Sequence, residues 1–274
     1  MDHAELQDSD YVKISQLVYE QCGIDLGEGK KELVKVRLGK RLREGNFKSF
    51  SDYYRYVTTA EGMDELIKMI DSLSTNLTSF FREANHFNTV RQVVQDKISA
   101  RRAGETPKVR IWSAGCSTGE EPYTLAIVLT ETIKGAACDA KILATDISTR
   151  VLKTAMDGIY RDERLQNIER SLLKKYFQIG SGKYQGYYRI KQAIRGMIQF
   201  ERFNLMDTPP ASFRFDMIFC RNVMIYFDKP TQSGLVNRFY QCLHEGGYLF
   251  IGHSESLTGL NHSFNYVEPN VYRK

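Results

Sequence analysis

A chain of 274 residues with 42% hydrophobic content and a net charge of +5 can hold one large domain and a smaller companion around packed cores. The charge is mild and falls short of the basic density of a dedicated nucleic-acid binder, and no apolar run approaches the roughly 18 residues that span a membrane. The acidic, polar start and five scattered cysteines, Cys22, Cys116, Cys138, Cys220 and Cys242, lack the pattern of a signal peptide, disulfide framework or zinc site. They predict a cytoplasmic protein with reduced thiols and no metal.

From the N-terminus to about Glu83 the pattern predicts helices over Asp10–Cys22, Gly29–Glu44, Ser51–Thr58 and Gly62–Leu73, with Ser51 and Asp52 as cap candidates. On the second helix Val34, Leu38 and Leu42 line one side, while Lys30, Arg37, Lys40, Arg41 and Arg43 collect on the opposite arc. Such an arc is either a solvated face or a docking surface for something acidic. The text then becomes Leu73-Ser-Thr-Asn-Leu-Thr-Ser-Phe-Phe-Arg-Glu83. Thr75, Asn76 and Thr78 beside two phenylalanines and Arg82 are unusual for a linker, though a phenylalanine packed in a seam would explain part of it. A helix over Phe87–Arg102 leads into the next region.

Val109 to Thr124 reads as strand, tight loop and helix: Val109, Ile111 and Trp112, then Ala114 and small residues between Gly115 and Gly119, then Leu125, Ala126, Val128, Leu129 and Ile133 at helical spacing. In an open parallel sheet this is where a ligand's backbone approach is tolerated. Glu120 and Glu121 in the first helical turn would repel phosphate. They suit an uncharged or cationic ligand such as S-adenosylmethionine (AdoMet), which carries a sulfonium and no phosphate; equally, acidic residues complement any helix N-terminus. Lys141–Asp146 predicts a second buried strand ending in an acid. Asp146 is placed either to accept ribose hydroxyls or to cap a helix over Thr149–Met156.

Tyr160–Phe177 looks polar and helical. Lys183–Ile190 and Gly196–Phe203 suggest a small antiparallel excursion rich in tyrosine, either an ordinary hairpin or an edge that receives a peptide strand. Ile198–Phe203 also serves as a third strand, with Asn204 and Leu205 at its end, and Phe215–Cys220 as a fourth, ending in Arg221 and Asn222. A helix over Thr231–His244, a fifth strand over Tyr248–Gly252 and a closing hairpin arm over Phe264–Arg273 complete an α/β fold with a mostly parallel sheet.

Ser74–Glu83, Trp112–Tyr123, Ala144-Thr-Asp146, Phe219–Asp228 and Gly252-His-Ser-Glu-Ser256, in this order, make the chain resemble the CheR-type chemotaxis receptor methyltransferases over essentially its whole length. The resemblance implies transfer of a methyl group from AdoMet to side-chain carboxylates of particular glutamates on the cytoplasmic helices of chemoreceptors, giving glutamyl methyl esters and S-adenosylhomocysteine. It implies a Rossmann-like AdoMet-dependent methyltransferase domain over residues 108–274 with a β-subdomain at about 164–197, a linker helix over 84–107 and a receptor-docking helical domain over 1–83. Asn76, Thr78, Arg82, Ala114, Gly115, Glu121, Asp146, Asn204, Leu205, Arg221 and Asn222 would contact cofactor, and Arg82 and Tyr226 would lie nearest the transferred methyl. Phe80, Phe81 or Met224 would supply an apolar wall.

Arg37, Lys40, Arg41 and Arg43 then gain a candidate partner in the glutamate-rich receptor helices. Gly180, Gly182 and Arg189 resemble the part of tethered family members that takes a receptor's C-terminal peptide, although Ile179 stands where those members tend to have a basic residue. A monomer, cytoplasmic and visiting membrane receptor arrays, with no nucleic-acid partner, is implied. The rival readings are a methyltransferase acting on another protein and an adaptor that binds AdoMet or its product.

Overall fold

The computed structural model describes residues 5–274, the side chain of Glu28 excepted. Four helices come first: α1 (Asp8–Cys22), α2 (Lys31–Glu44), α3 (Phe50–Val57) and α4 (Met63–Leu73). Helix α1 stops where Gly23 enters the left-handed region at φ 73°, a conformation with little cost only for glycine. The cap of α3 is Ser49, whose hydroxyl accepts the Asp52 N–H, so that helix begins ahead of the expected Ser51. Val34, Leu38 and Leu42 are buried on α2, and Met69, Ile70 and Leu73 on α4.

Helix α5 (His86–Ser99) leads to β1 (Lys108–Ala114), α6 (Glu120–Ile133), β2 (Asp139–Asp146) and α7 (Thr149–Asp157). The chain then forms β3 (Ile159–Arg161), α8 (Arg170–Tyr176), β4 (Phe177–Ile179), β5 (Tyr187–Ile190) and α9 (Gln192–Arg195). It returns through β6 (Ile198–Arg202), β7 (Phe215–Cys220), α10 (Lys229–Cys242), β8 (Leu243–Ile251), β9 (Asn265–Glu268) and β10 (Val271–Arg273). The main sheet has the order β6-β2-β1-β7-β8-β10-β9. Its first five strands pair in parallel and the last two are antiparallel. Among the described residues no helix is long and apolar enough to cross a membrane.

Two expectations change here. Only Arg170–Tyr176 of the stretch from Tyr160 to Phe177 is α-helical. Tyr160 belongs to β3, and its ring packs edge-on to Phe80 and Tyr123 while its hydroxyl reaches the Thr118 carbonyl at 2.6 Å. The antiparallel excursion is the three-stranded sheet β3-β5-β4, which starts at Ile159. Ile198–Arg202 is not part of it, because its backbone pairs in parallel with Ile142–Asp146 at the edge of the main sheet.

One hydrophobic cluster fills the face of the main sheet against α10 and runs without a break into the core of α1–α4. A second fills the opposite face under α5 and α6. Fully buried Trp112 sits at the heart of the first, surrounded by Phe203, Phe213, Phe215 and Phe239, with its indole N–H donated to Thr145 Oγ1 at 2.9 Å. The helical unit is therefore packed onto the sheet, and polar contacts fix its position. Buried Asp71, near the end of α4, accepts the Thr149 N–H at 3.2 Å and the Arg150 N–H at 3.3 Å. It thereby caps the first turn of α7 from another domain.

Within the helical unit, Arg41 on α2 grips Glu65 on α4 with two parallel bonds of 2.8 and 2.7 Å, and Tyr53 of α3 donates to the same carboxylate at 3.1 Å. Burial alone would raise the Glu65 pKa, but the guanidinium and the phenol outweigh it and hold the carboxyl below the usual range. A depressed folded pKa contributes stability above the ordinary carboxylate pKa and loses it as pH falls through the lower value. Glu65→Gln should therefore destabilise the protein by about 3 kcal/mol near neutrality, as read from urea denaturation. The deficit should shrink as the medium is acidified through the titration of Glu65.

Candidate active site

The carboxyl ends of β1, β2, β6 and β7 face one cleft, closed on its far side by the segment after α4 and by the helical unit. It encloses ≈ 950 Å³ of empty space, its open mouth included. Asn76, Thr78, Arg82, Gly115, Glu121, Asp146, Asn204, Leu205, Arg221, Asn222 and Tyr226 line it. Ala114 does not: it lies buried at the end of β1. Gly115, half-buried with φ 84°, lines the cleft instead, and a Cβ there would fall 2.5 Å from the Val223 side chain. The remaining wall includes Cys22, Ile24 and Leu73 of the helical unit with Phe203, Val223 and Phe227. Phe80, Phe81 and Met224 are not among the lining residues; Phe80 is packed against Tyr160 and Phe177.

The segment Ser74–Asn85 crosses the cleft as a strap, and its backbone carbonyls are held one after another. Arg37 of α2 donates to Leu73 O at 2.6 Å and Ser74 O at 3.3 Å, and Tyr226 reaches Thr75 O at 3.4 Å. Ser117 donates to Asn76 O at 2.8 Å and Arg82 to Leu77 O at 3.1 Å. Farther along, Phe81 and Glu83 have φ of 54° and 57°, and across the cleft Ser117 and Asn222 have 51° and 59°. Side chains other than glycine adopt this region at a cost, and such positions concentrate at functional sites.

Arg221 is the hub beneath the strap. Its side chain is 3% exposed. Nε donates to Glu121 Oε2 at 2.7 Å, and Nη1 to Arg82 O at 2.8 Å and His86 Nδ1 at 3.3 Å, with Glu83 Oε2 3.5 Å away. Ser113 donates to the second Glu121 oxygen at 2.7 Å. A guanidinium can only donate, so His86 Nδ1 accepts and the imidazole proton sits on Nε2. Burial, reinforced by Arg221, pushes the His86 pKa down to about 4. Glu83, His86 and His253 present donor atoms within 4.8 Å of one another, but the Arg221 charge already occupies two of the three and opposes a metal ion.

This arrangement alters the electrostatics of the glycine loop. Position in the first helical turn predicts that both glutamates face the ligand. Fully buried Glu120 instead turns away to Arg164, which follows β3, and Thr118, whereas Glu121 lines the cleft already neutralised by Arg221. Asp146 is the acid left without a cationic partner. It takes the Ser117 N–H at 2.8 Å and the Ser148 N–H at 2.9 Å, while Ser148 caps α7. Burial raises the Asp146 pKa above the ordinary value, against those two backbone donors. Cys116 in the loop is buried, and burial, with Asp146 and Glu121 nearby, pushes its thiol far up, which removes it as a nucleophile.

One supporting residue shows only part of its role in the local sequence. Glu255 accepts the N–H groups of Gly252, Asn222 and Ile225 at 2.6, 2.9 and 3.3 Å, and so shapes the turn that carries Asn222 and Tyr226. Its spacing in Gly252-His-Ser-Glu-Ser256 is a local trace of the first of these bonds, but its distant partners leave none.

A second, basic groove adjoins the cleft. It is lined by Arg37, Lys40 and Arg41 of α2, Lys68 of α4, Arg150 of α7 and the strap residues Ser74–Leu77, with Glu44 and Asp71 the acids among them. The arc on α2 is not uniform. Lys40 and Arg43 are exposed, but Arg37 is turned to the strap and Arg41 to Glu65. Gly180 and Gly182 lie in the turn between β4 and β5 and exposed Arg189 on β5, all in the small sheet.

Comparison with known proteins gives a consistent picture. Residues 9–74 match the family described as CheR methyltransferase, all-alpha domain, and residues 76–273 match CheR methyltransferase, SAM binding domain. A chemotaxis protein methyltransferase of Borreliella burgdorferi is 42% identical over 267 residues, which are 96% of this chain and 93% of that protein. The chemotaxis protein methyltransferase of Escherichia coli is 41% identical over 97% of this chain and 91% of its own length. Chemotaxis protein methyltransferase 2 of Pseudomonas aeruginosa is 38% identical over 96% and 92%. With an AdoMet-dependent methyltransferase fold, an all-α N-terminal unit and both matches together spanning nearly the whole sequence, the chain belongs to the CheR family of chemotaxis protein methyltransferases.

Proposed function

We propose that this protein transfers the methyl group of AdoMet to the side-chain carboxylate of glutamates on chemoreceptor helices, forming methyl esters. The observation that carries this reading is that one short segment, Ser74–Leu77, contributes to both the cofactor cleft and the basic groove. An acidic helix seated in the groove thus lies beside the cleft mouth.

The residues fit the cofactor. Asp146 presents a buried carboxylate with capacity to accept ribose hydroxyls, Gly115 leaves room for close approach, and Ile24, Phe203 and Phe227 offer apolar surface for a flat base. When bound, AdoMet supplies a methyl group on a positively charged sulfur. A glutamate carboxylate is a nucleophile at neutral pH, so the protein needs to orient and partly desolvate it rather than deprotonate it. Arg82 lines the cleft with donors beyond the one given to Leu77 O, which supports a role in holding one carboxylate oxygen while the other attacks. Tyr226, which donates to Thr75 O, is the second orienting group.

Five outcomes test this. Protein labelled from radioactive AdoMet in the presence of chemoreceptor membranes should release its label as methanol in mild alkali, and Arg82→Ala should lower kcat/KM by roughly 10- to 100-fold, the loss of one charge-assisted hydrogen bond. Label that survives alkali would move the chemistry to nitrogen or sulfur. Asp146→Asn should weaken S-adenosylhomocysteine binding by about tenfold or more. In the wild type that affinity should fall on acidification at a higher pH than an ordinary aspartate would dictate, because the folded pKa is raised. Reversing the exposed pair Lys40 and Arg43 to glutamate should raise the KM for receptor while cofactor affinity, measured by calorimetry, stays the same.

A further inference from the structure

Arg37 lies on the helix assigned to receptor docking, yet its half-buried guanidinium is turned to the strap. One nitrogen, Nη1, donates to Leu73 O at 2.6 Å and Ser74 O at 3.3 Å, and the other, Nη2, to Thr75 Oγ1 at 3.1 Å. Leu73 ends α4, where carbonyls lack intrahelical partners and the helix dipole favours a positive charge. The planar fork thus closes the end of α4 and clasps the first residues of the strap at once, a geometry that lysine's single ammonium cannot reproduce.

The clasp matters because the next strap carbonyls are each held by a residue of the cleft. Thr75 O is the acceptor for Tyr226, Asn76 O for Ser117 of the glycine loop, and Leu77 O for Arg82. Asn76 and Thr78 line the cleft. The same helix α2 is locked to α4 by Arg41 and Glu65, and α4 is locked to α7 by Asp71. Docking helix, strap and cofactor wall are therefore connected through rigid contacts, and Arg37 is the link that leaves α2 for the strap.

We infer that Arg37 is a positioning residue for the cofactor site: it sets the path of the strap, and through the strap the placement of Asn76, Thr78, Arg82 and Tyr226. The inference rests on the cofactor reading of the cleft and is independent of which protein is methylated. It has a thermodynamic corollary. If a partner that engages α2 shifts the Arg37 clasp, cofactor and partner affinities must change by the same factor in both directions.

The test is calorimetric binding of S-adenosylhomocysteine to the whole chain with no receptor present. Arg37→Ala should weaken binding at least about fivefold, Arg37→Lys should recover part of the loss, and Lys40→Ala on the same helix should stay within about twofold of wild type. Thermal melts accompany each variant. If Arg37→Ala fails to fold, Thr75→Val removes one acceptor of the clasp with little change in shape, and weaker binding by about two- to threefold supports the inference. An Arg37→Ala protein, or failing that Thr75→Val, that binds S-adenosylhomocysteine as wild type does would overturn it and leave Arg37 as a docking residue only. A wild-type protein that does not bind S-adenosylhomocysteine would instead overturn the cofactor reading on which it rests.

Discussion

Arg221 is the interaction on which the cleft depends. It stands at the end of β7 buried from solvent, so its charge requires partners that the fold must deliver from three directions: Glu121 from α6, Glu83 and the Arg82 carbonyl from the strap, and His86 from α5. Removing one member of such a buried set leaves the others uncompensated, at a cost of about 3–5 kcal/mol. The guanidinium also lies over the faces of Phe87 and Phe219, which joins the ionic network to the hydrophobic core beneath it. The strap is thereby drawn down onto the sheet, and its unfavourable backbone at Phe81 and Glu83 is held in place.

A division of labour results among acids that look alike in sequence. Glu120 secures the small antiparallel sheet through Arg164. Glu121 balances Arg221. Asp146 alone keeps an uncompensated charge toward the cleft, and Glu255 commits its oxygens to the backbone of the turn after β7. A cleft so arranged has little net charge, which suits a zwitterionic ligand with a sulfonium better than strong repulsion of phosphate would.

The order of helices and strands was legible because long apolar periods report it directly: α1, α2, α4, β1, α6, β2 and β7 lie where their patterns place them, within a few residues. Around Tyr160 the pattern misleads, since the three-residue strand there has its side chain claimed by Phe80 and Tyr123 from elsewhere in the chain, and no local pattern encodes that. The cleft residues are similarly split. Gly115 and Asp146 announce themselves through position at a strand end. That Arg37 and Arg41 point inward while Lys40 and Arg43 do not is decided by carbonyls and a carboxylate more than 20 residues away in sequence, and the helical arc alone does not distinguish them. Glu120 and Glu121 are adjacent and chemically equivalent, yet one helical step of about 100° sends them to different cations.

Cys22, Ile24 and Leu73 belong to the helical unit but form part of the wall that a cofactor would touch. The cleft is therefore built across the boundary between the two folding units. A chimera that borrows the helical unit of a relative would import a foreign side of the cleft as well, and the seam between the two units has to change in concert if the cleft is to keep its shape.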